Sequence, residues 1–370
     1  MTNERKFSPV TATVTVGLTD GRTMDQNRRT FLQSTLVTAL AAQFGPSLLA
    51  ASAPRAPLKP RRLAVGATVG LVSPAGATWL TEELDIVKET VVALGLKWKL
   101  GHHVLDRYGY LGGKDADRAA DLNAMFADDA VDAILCIRGG WGCNRLLPLL
   151  DYPAIAAHPK ILLGYSDITS LLTAIHAKTG LVTFHGPVGV STWSGFSLEF
   201  IRRILFNGEA VAMGNPKTKG DSQVVTRDRI QTITPGIVSG RLVGGNLTVL
   251  TAMLGSEYLP DWSGRILFLE DTNENIYRID RMLTQLKLAG VLDKIAGFVF
   301  GKCTKCTPGD GYGSFTLEEV LNDHIRPLKI PAWSGAMIGH IDSQFTVPIG
   351  VRVAIDAERG TITMLEAAVR

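Results

Sequence analysis

Short apolar runs alternate with amphipathic helical patterns along the middle of this chain. The runs at residues 68–76 and 131–140 end in glycine, and the segments at 81–94 and 115–128 carry apolar residues at helical spacing. Parallel strands need a crossover connection, usually a helix, so this alternation is typical of a parallel sheet with helices on its faces. We therefore predict an N-terminal α/β domain over residues 63–190.

The later part of the chain shows the same alternation after a change of character. Residues 191–236 have few periodic runs, which predicts a connecting segment, partly irregular or in short antiparallel strands. Beyond it we predict a strand, turn and helix, then a strand, a helix, a strand and a terminal hairpin, at 240–256, 265–271, 275–290, 295–301 and 347–365. The sequence therefore predicts a second α/β domain with a β-hairpin over residues 237–370.

The first 62 residues have the layout of an export signal followed by a linker. Arg28 and Arg29 precede a short apolar stretch and then alanine-rich small residues, as in twin-arginine signals. A glycine and a proline interrupt the apolar stretch well below the ~20 residues that span a bilayer. We expect export to the periplasm, with a proline-rich linker at 53–62 and Met24 as the natural start. The alternatives are a first helix of the fold or a membrane anchor, and a cytoplasmic protein if the signal is not used.

Charge and cysteine content exclude several classes of protein. The formal net charge is +3 over 370 residues, so the sequence has no basic excess of the kind that binds nucleic acid or anionic membranes. Cys303 and Cys306 form a lone CxxC pair, and Cys136 and Cys143 stand seven residues apart, so the spacing of a zinc ribbon is missing. We expect no bound metal and two ordinary thiols in the CxxC pair, or a loop disulfide there if the chain is exported.

The stretch LLGYSDITSLL, residues 162–172, places Ser166 between a short apolar strand and a helical pattern. Backbone N–H groups at a helix N-terminus are unpaired and lie where the helix dipole is positive. A serine there is therefore suited to attack a carbonyl whose oxygen becomes negative. The sequence lacks the last glycine of the usual G-x-S-x-G elbow. Ser166 and Asp167 are also common helix caps, and this stretch alone leaves both interpretations open.

A nucleophilic serine needs a base, and an acid that orients the base. His340 follows a short apolar segment and begins a loop, and His185 is its main competitor, whereas His176 falls too far along the helix after the serine. Glu270 ends an apolar strand, where a buried carboxylate needs a partner. That partner is either a histidine or an arginine of the following helix.

The Gly-Gly-Asn sequence at 244–246 opens a further helical pattern. A helix N-terminus of this kind can bind an anion, or it can simply follow a tight turn. Because capping by Asn246 explains the pattern without a ligand, we interpret it as a strand-to-helix turn.

Seven segments, in order along the chain, resemble the serine LD-carboxypeptidases of peptidase family S66. This family includes murein tetrapeptide carboxypeptidases and microcin C immunity peptidases. The segments are SPAG at 73–76, IRGGWGCNRLLPLLDY at 137–152, LLGYSDITSLL at 162–172, FHGPV at 184–188, GGNLTVL at 244–250, LFLEDTNE at 267–274 and GHIDSQFTVPIG at 339–350. On their order and spacing, the chain is identified as a member of this family.

The resemblance implies a Ser–Glu–His triad divided between two domains, which maps onto Ser166, Glu270 and His340. It also implies an oxyanion hole of backbone N–H groups. Asp167 supplies one of them, and Gly140, the second glycine of a pair, is favoured for the other because a glycine lets the backbone approach the substrate closely.

Arg138 and Trp141 are further substrate-binding candidates beside this glycine pair. An exopeptidase must hold the terminal carboxylate of its substrate, and Arg138 is placed to do so. The position is equally consistent with a buried structural ion pair.

The resemblance implies an enzyme that cleaves the L–D amide bond of murein tetrapeptide and releases the terminal D-alanine through an acyl-enzyme. It implies no metal or cofactor, a murein stem peptide as substrate, and a homodimer. One alternative is a same-family amidase that cleaves a peptidyl or aminoacyl nucleotide, as in microcin C immunity. A more distant alternative is a non-catalytic periplasmic binding protein, which would not need the three triad residues together.

Overall fold

The structure, a computed structural model, describes residues 56–309 and 313–370. The predicted export signal lies outside these residues, and its assignment stays a prediction. Within the described part of the chain, no helix combines the length and the apolar character needed to cross a membrane.

Strands and helices alternate in both halves of the described chain. The strands are β1 (Thr68–Val72), β2 (Lys97–Leu100), β3 (Ala133–Cys136), β4 (Ile161–Gly164), β5 (Thr183–His185), β6 (Ala212–Gly214), β7 (Gln231–Thr234), β8 (Ile237–Asn246), β9 (Ile266–Thr272), β10 (Gly297–Thr304), β11 (Ala332–Ser334), β12 (Val347–Ile349), β13 (Arg352–Asp356) and β14 (Thr361–Met364). The α-helices are α1 (Thr81–Ala93), α2 (Asp115–Ala127), α3 (Tyr152–Ala157), α4 (Thr169–Thr179), α5 (Gly195–Ile201), α6 (Leu247–Ala252), α7 (Ile276–Leu288) and α8 (Leu317–Ile325). Short 3₁₀ turns occur at Cys143–Leu149, Ser166–Ile168 and Arg326–Leu328, and a π-helical turn at Arg202–Phe206.

The first sheet has six strands in the order β12-β5-β4-β3-β1-β2. Strands β1 to β5 run parallel, and β12 pairs antiparallel with β5 at one edge. Every residue of β3 and β4 is buried, as in parallel strands that helices cover on both faces. Helix α1 buries Leu84, Val87 and Val91, the apolar residues whose spacing predicted it. The predicted parallel-sheet α/β architecture is confirmed.

The second sheet has eight strands in the order β6-β14-β13-β8-β9-β10-β11-β7. Its centre, β8 to β11, is parallel, and its flanking strands are antiparallel. Helix α7, which follows β9, turns Ile276, Ile279, Leu283 and Leu286 into the core. A second α/β layer with a hairpin, formed by β13 and β14, is therefore also as predicted.

Two predicted elements differ from the structure. The terminal hairpin begins at Arg352 and not at residue 347, because Val347–Ile349 pairs with the first sheet and Gly350, at φ +94°, turns the chain towards the second. The segment 191–236 contains the short antiparallel strands β6 and β7, as predicted, and they extend the second sheet at its two edges. It also contains helix α5, which was not predicted. The predicted domain boundaries stay predictions.

The expectation of two ordinary thiols in the CxxC pair is wrong, because the structure joins Cys303 and Cys306 in a disulfide. Lys305 between them adopts φ +56°, which turns the chain back on itself and brings the two Cα atoms to 5.4 Å. Cys136 and Cys143 are free and buried.

The two sheets meet where the end of β8 contacts helix α4. The backbone N–H of Asn246 donates a hydrogen bond of 3.0 Å to Oγ1 of Thr169, the first residue of α4. A Cβ atom on Gly245 would lie only 2.4 Å from the Thr169 side chain, so this approach requires a glycine. The contact fixes the end of β9, beside β8, relative to the serine turn that precedes α4.

We expect the Gly244→Ala substitution to destabilise the protein by more than about 3 kcal/mol. The new Cβ would lie 1.8 Å from the Phe268 carbonyl oxygen, and the backbone has φ +151°, which alanine rarely adopts. Gly195→Ala is the control, since nothing lies within 4 Å of a Cβ there. Urea unfolding of both variants measures the difference, and a Gly244→Ala protein as stable as Gly195→Ala would contradict the close packing of β8 on β9.

Candidate active site

Ser166 lies at the sharp turn between β4 and the helical segment that ends in α4. Its φ is +64°, an uncommon conformation for a residue with a side chain, and such strain is concentrated at functional sites. The capping interpretation is wrong, because a capping serine has extended backbone and bonds a nearby N–H, and neither helical segment here has a side-chain cap. The hydroxyl instead lies 3.0 Å from Nε2 of His340.

His340 connects the serine to a buried glutamate. Its Nδ1 lies 2.8 Å from Oε2 of Glu270, and the glutamate is fully buried two residues before the end of β9. A carboxylate only accepts hydrogen bonds, so Nδ1 donates to Glu270 and Nε2 is left to accept the Ser166 proton. The structure thus brings the three predicted triad residues into one chain of hydrogen bonds, with the serine on the first sheet and the acid on the second.

Asn246 lies between the Glu270 and Asp271 carboxylates and hydrogen-bonds to both. Asn246 caps α6 by accepting a hydrogen bond from the Val249 N–H, as predicted for a strand-to-helix turn. Its amide Nδ2 also donates to Oε1 of Glu270 at 3.2 Å and to Oδ1 of Asp271 at 3.1 Å. Burial, with Glu270 adjacent, raises the pKa of Asp271 to about 6. Sequence reasoning missed this support, although Glu270 and Asp271 stand side by side in the LED segment.

The competing histidines do not reach the serine. His185 is fully buried on β5, where its ring packs edge-to-face on Tyr165 and Phe268. His176 lies in α4, and its Nδ1 is 3.0 Å from the Leu181 carbonyl oxygen. Burial lowers the pKa of each to about 4.

We expect these two histidines to make the free energy of unfolding depend on pH. A histidine whose pKa is lowered on folding binds fewer protons in the folded state, so its contribution to stability is lost as pH falls below about 6.5. We expect the free energy of unfolding to decrease as the pH falls from about 6.5 to 4. In the His176→Gln variant this decrease should be smaller by up to about 3 kcal/mol. Urea unfolding at pH 7.5, 5.5 and 4.5 measures it, and parallel curves for wild type and variant would contradict the prediction.

A glycine-rich loop after β3 lies against the serine turn. A Cβ on Gly139 would be 2.9 Å from Cβ of Ser166, and one on Gly140, at φ +130°, would be 2.9 Å from Gly76. Among the described residues, the N–H of Gly140 finds no protein acceptor. The Asp167 carboxylate accepts a hydrogen bond of 2.8 Å from the Cys143 N–H and so ties this loop to the turn. Burial raises the pKa of Asp167. The two predicted oxyanion positions therefore lie on segments that are joined beside the hydroxyl.

An open cavity of about 460 Å³ lies in front of Ser166 and His340. Aromatic side chains line it, namely Trp79, Tyr110, Trp141 and Tyr165. Trp141 is 67% exposed and packs edge-to-face on Tyr110. The volume suits a short peptide, and the aromatic rim offers apolar contact area.

Arg138 lies on the wall of this cavity and also forms an ion pair. Its Nη1 donates to Oε2 of Glu83 at 3.0 Å and to the Ala77 carbonyl oxygen at 2.9 Å. Its side chain is 25% exposed. Its position is compatible with both predicted roles, the structural ion pair and the binding of a substrate carboxylate. The guanidinium has five N–H groups, so pairing with Glu83 leaves others for a substrate.

One group of side chains away from the triad has the composition of a metal site. The ligand atoms of His103, Asp106 and Asp117 lie within 4.8 Å of one another near the surface. The His103 ring is 2.7 Å from the Asp106 carboxylate, and this hydrogen bond raises the histidine pKa. An ion pair three residues apart accounts for the closeness of His103 and Asp106.

A hydroxyl bonded to a histidine that is itself bonded to a buried carboxylate, beside a glycine-rich loop, is the geometry of a serine hydrolase. Two domain models of one peptidase family, S66, match the chain. They are "LD-carboxypeptidase N-terminal domain" over residues 69–186 and "LD-carboxypeptidase C-terminal domain" over residues 239–355. The chain therefore belongs to the S66 family of LD-carboxypeptidases, and it is a peptidase of that class.

Curated relatives and solved structures agree with this membership. The chain is 40% identical over 321 residues to the "Probable murein peptide carboxypeptidase" of Bacillus subtilis, covering 84% of this chain and 95% of that protein. It is 31% identical to the "Murein tetrapeptide carboxypeptidase" of Pseudomonas aeruginosa, covering 79% and 94%. Its fold is similar to that of the microcin C7 self-immunity protein MccF, with a TM-score of 0.76, 30% identity, and coverage of 85% of this chain and 100% of that one. The same immunity protein from Escherichia coli is 32% identical to the chain in sequence.

Proposed function

We propose that this protein is a serine carboxypeptidase that cleaves the L–D amide bond of murein tetrapeptide and releases the terminal D-alanine. The observation that carries the proposal is the hydrogen-bonded sequence of Ser166, His340 and Glu270 at the base of an open cavity. Membership of the S66 family and relatives named for murein peptides support the substrate class.

In this mechanism His340 takes the proton from Ser166, and Oγ attacks the carbonyl carbon of the residue before D-alanine. Glu270 holds the imidazole in the tautomer that accepts at Nε2, and stabilises the imidazolium that forms. The oxyanion is bound by the N–H groups of Gly140 and Asp167. His340 then protonates the leaving D-alanine amine, and water hydrolyses the acyl-enzyme.

Arg138 is our candidate for binding the terminal carboxylate. It lies on the cavity wall, and guanidinium N–H groups that Glu83 does not use would bind a carboxylate at short range. Trp141, with its exposed ring on the same wall, would pack against the substrate. We also propose that the mature protein is periplasmic and forms a homodimer.

The alternative is an amidase that acts on a peptidyl or aminoacyl nucleotide. The observation that favours it is the likeness to MccF structures, which include complexes with glutamyl sulfamoyl guanosine and with aspartyl sulfamoyl adenosine. The aromatic rim of the cavity would stack on a nucleobase as well as it packs on a peptide. Export through the proposed signal argues against a cytoplasmic detoxifying role.

The test is mass spectrometry of products from two substrates in parallel, L-Ala-γ-D-Glu-meso-diaminopimelate-D-Ala and an aspartyl sulfamoyl adenosine. We expect D-alanine from the first with a kcat/KM in the usual enzymatic range of about 10⁴ M⁻¹s⁻¹ or more. Cleavage of the nucleotide conjugate with no release of D-alanine would replace the carboxypeptidase assignment by the amidase.

A further inference from the structure

Buried polar atoms without protein partners lie behind the triad. Both ring nitrogens of His185, both polar atoms of the Gln344 amide and Oγ1 of Thr346 make no hydrogen bond to another described residue. The three residues are 0%, 1% and 0% exposed. Buried polar groups are almost always hydrogen-bonded, because an unpaired one has lost its bonds to water and gained none. Five such atoms in neighbouring residues therefore indicate that something else binds there.

The three side chains come from two paired segments at one edge of the first sheet. His185 on β5 is the register partner of Val347 on β12, which places Thr346 beside Gly186. A Cβ on Gly186 would be 3.3 Å from Oγ1 of Thr346. Burial raises the pKa of the Tyr165 hydroxyl, and Gln344, two residues before Thr346, lies near that hydroxyl without a hydrogen bond of good geometry.

Tyr165 links this polar group to the triad. Its ring packs edge-to-face on His340, with ring centroids 4.8 Å apart, and also on His185, at 6.0 Å. Tyr165 directly precedes Ser166 in the chain. A displacement of Tyr165 would therefore move the base and the nucleophile together.

Water fits the chemistry of this site best. The atoms offer donors and acceptors in nearly equal number, which a small neutral ligand with both functions can satisfy. Burial lowers the pKa of His185 to about 4, so the ring is neutral near pH 7 and does not attract an anion. A buried water typically makes two to four hydrogen bonds, which matches the grouping of the orphaned atoms.

We propose that His185, Gln344 and Thr346 bind ordered water molecules that hold Tyr165 in place and, through Tyr165, the imidazole of His340. These three are positioning residues, since they act on the triad through Tyr165. The kinetic consequence of this proposal rests on the proposed function, but the water site itself does not.

The first test is a high-resolution crystal structure of the wild-type protein. We expect ordered waters within hydrogen-bond distance of the His185 ring nitrogens and of the Gln344 amide. Direct bonds from these atoms to other side chains, or a dry space around them, would overturn the proposal whether or not the protein releases D-alanine.

The second test compares His185→Leu with His176→Leu, a matched loss of a buried neutral histidine away from the cavity. For His185→Leu we expect kcat to fall about tenfold with KM nearly unchanged, and the acidic limb of the kcat/KM profile to shift. His176→Leu should keep both the wild-type kcat and the wild-type limb. His185→Gln, which retains a donor and an acceptor, should recover most of the loss.

A His185→Leu protein that folds and keeps the wild-type kcat and pH profile would overturn the positioning role. If instead the wild-type protein releases no D-alanine from tetrapeptide, the proposed function fails, and the crystallographic test still decides whether water is bound.

Discussion

Replacing Ser166 by alanine should reduce D-alanine release by about 10⁴-fold or more, because the proposed acyl-enzyme forms on this hydroxyl. The loss should fall on kcat, since binding of the peptide in the cavity does not depend on the hydroxyl. Alanine meets the same φ of +64° that serine meets, so the turn should persist and the variant should fold. Mass spectrometry of tetrapeptide incubated with each protein measures the release.

Ser170→Ala is the matched control for this experiment. Ser170 is a buried serine one turn further along the same helical segment, and its hydroxyl donates to the Asp167 carbonyl oxygen at 3.0 Å. It does not line the cavity, so we expect activity within about threefold of wild type. Equal release of D-alanine by wild type and Ser166→Ala would mean that Ser166 is not the nucleophile and would remove the proposed mechanism.

The second large effect is expected for Glu270→Gln, which should lower kcat by about 10³- to 10⁴-fold. A glutamine can present its NH₂ group to Nδ1 of His340, and this favours the tautomer with the proton on Nε2. That tautomer cannot accept the proton of Ser166, although its atoms occupy almost the same positions. Steady-state kinetics with tetrapeptide, together with urea unfolding, separates the loss of activity from any loss of stability.

Asp271→Asn is the comparison, because it changes the neighbouring buried carboxyl in the same way. Asp271 accepts hydrogen bonds from Asn246, from the Thr248 N–H and hydroxyl, and from the Thr272 N–H, and it does not contact His340. We expect this variant to lose mainly stability, and Glu270→Gln to lose mainly kcat. A Glu270→Gln enzyme with wild-type kcat would show that another group orients His340.

The sequence pattern predicted the architecture where strands are long or end in a distinctive residue. Glu270 could be found because it follows an apolar strand, and carboxyl ends of parallel strands gather at one edge of a sheet. Strands β5, β11 and β12 have three residues each, too few to show a period of two. The pairing of β12 with β5 depends on packing between segments more than 160 residues apart, which no local pattern encodes.

The sequence indicated the triad residues themselves, but it did not indicate the residues that hold them in position. His340 and His185 look alike as sequence, since each follows an apolar segment. Only the fold distinguishes them, because it buries His185 between Tyr165 and Phe268 and leaves His340 on the cavity wall. The double use of Asn246, as a helix cap and as a donor to two carboxylates, depends likewise on β8 and β9 lying side by side.

The late position of the antiparallel strand β12 in the sequence determines when the first sheet can be completed during synthesis. The first sheet is completed by Val347–Ile349, and the histidine that faces Ser166 comes only a few residues earlier, at position 340. While a ribosome is still synthesising the chain before these residues, the edge of β5 has no partner and exposes backbone groups that favour aggregation. The nascent chain also has a serine without its base during this time. The three triad residues can therefore come together only after nearly all of the fold has been synthesised.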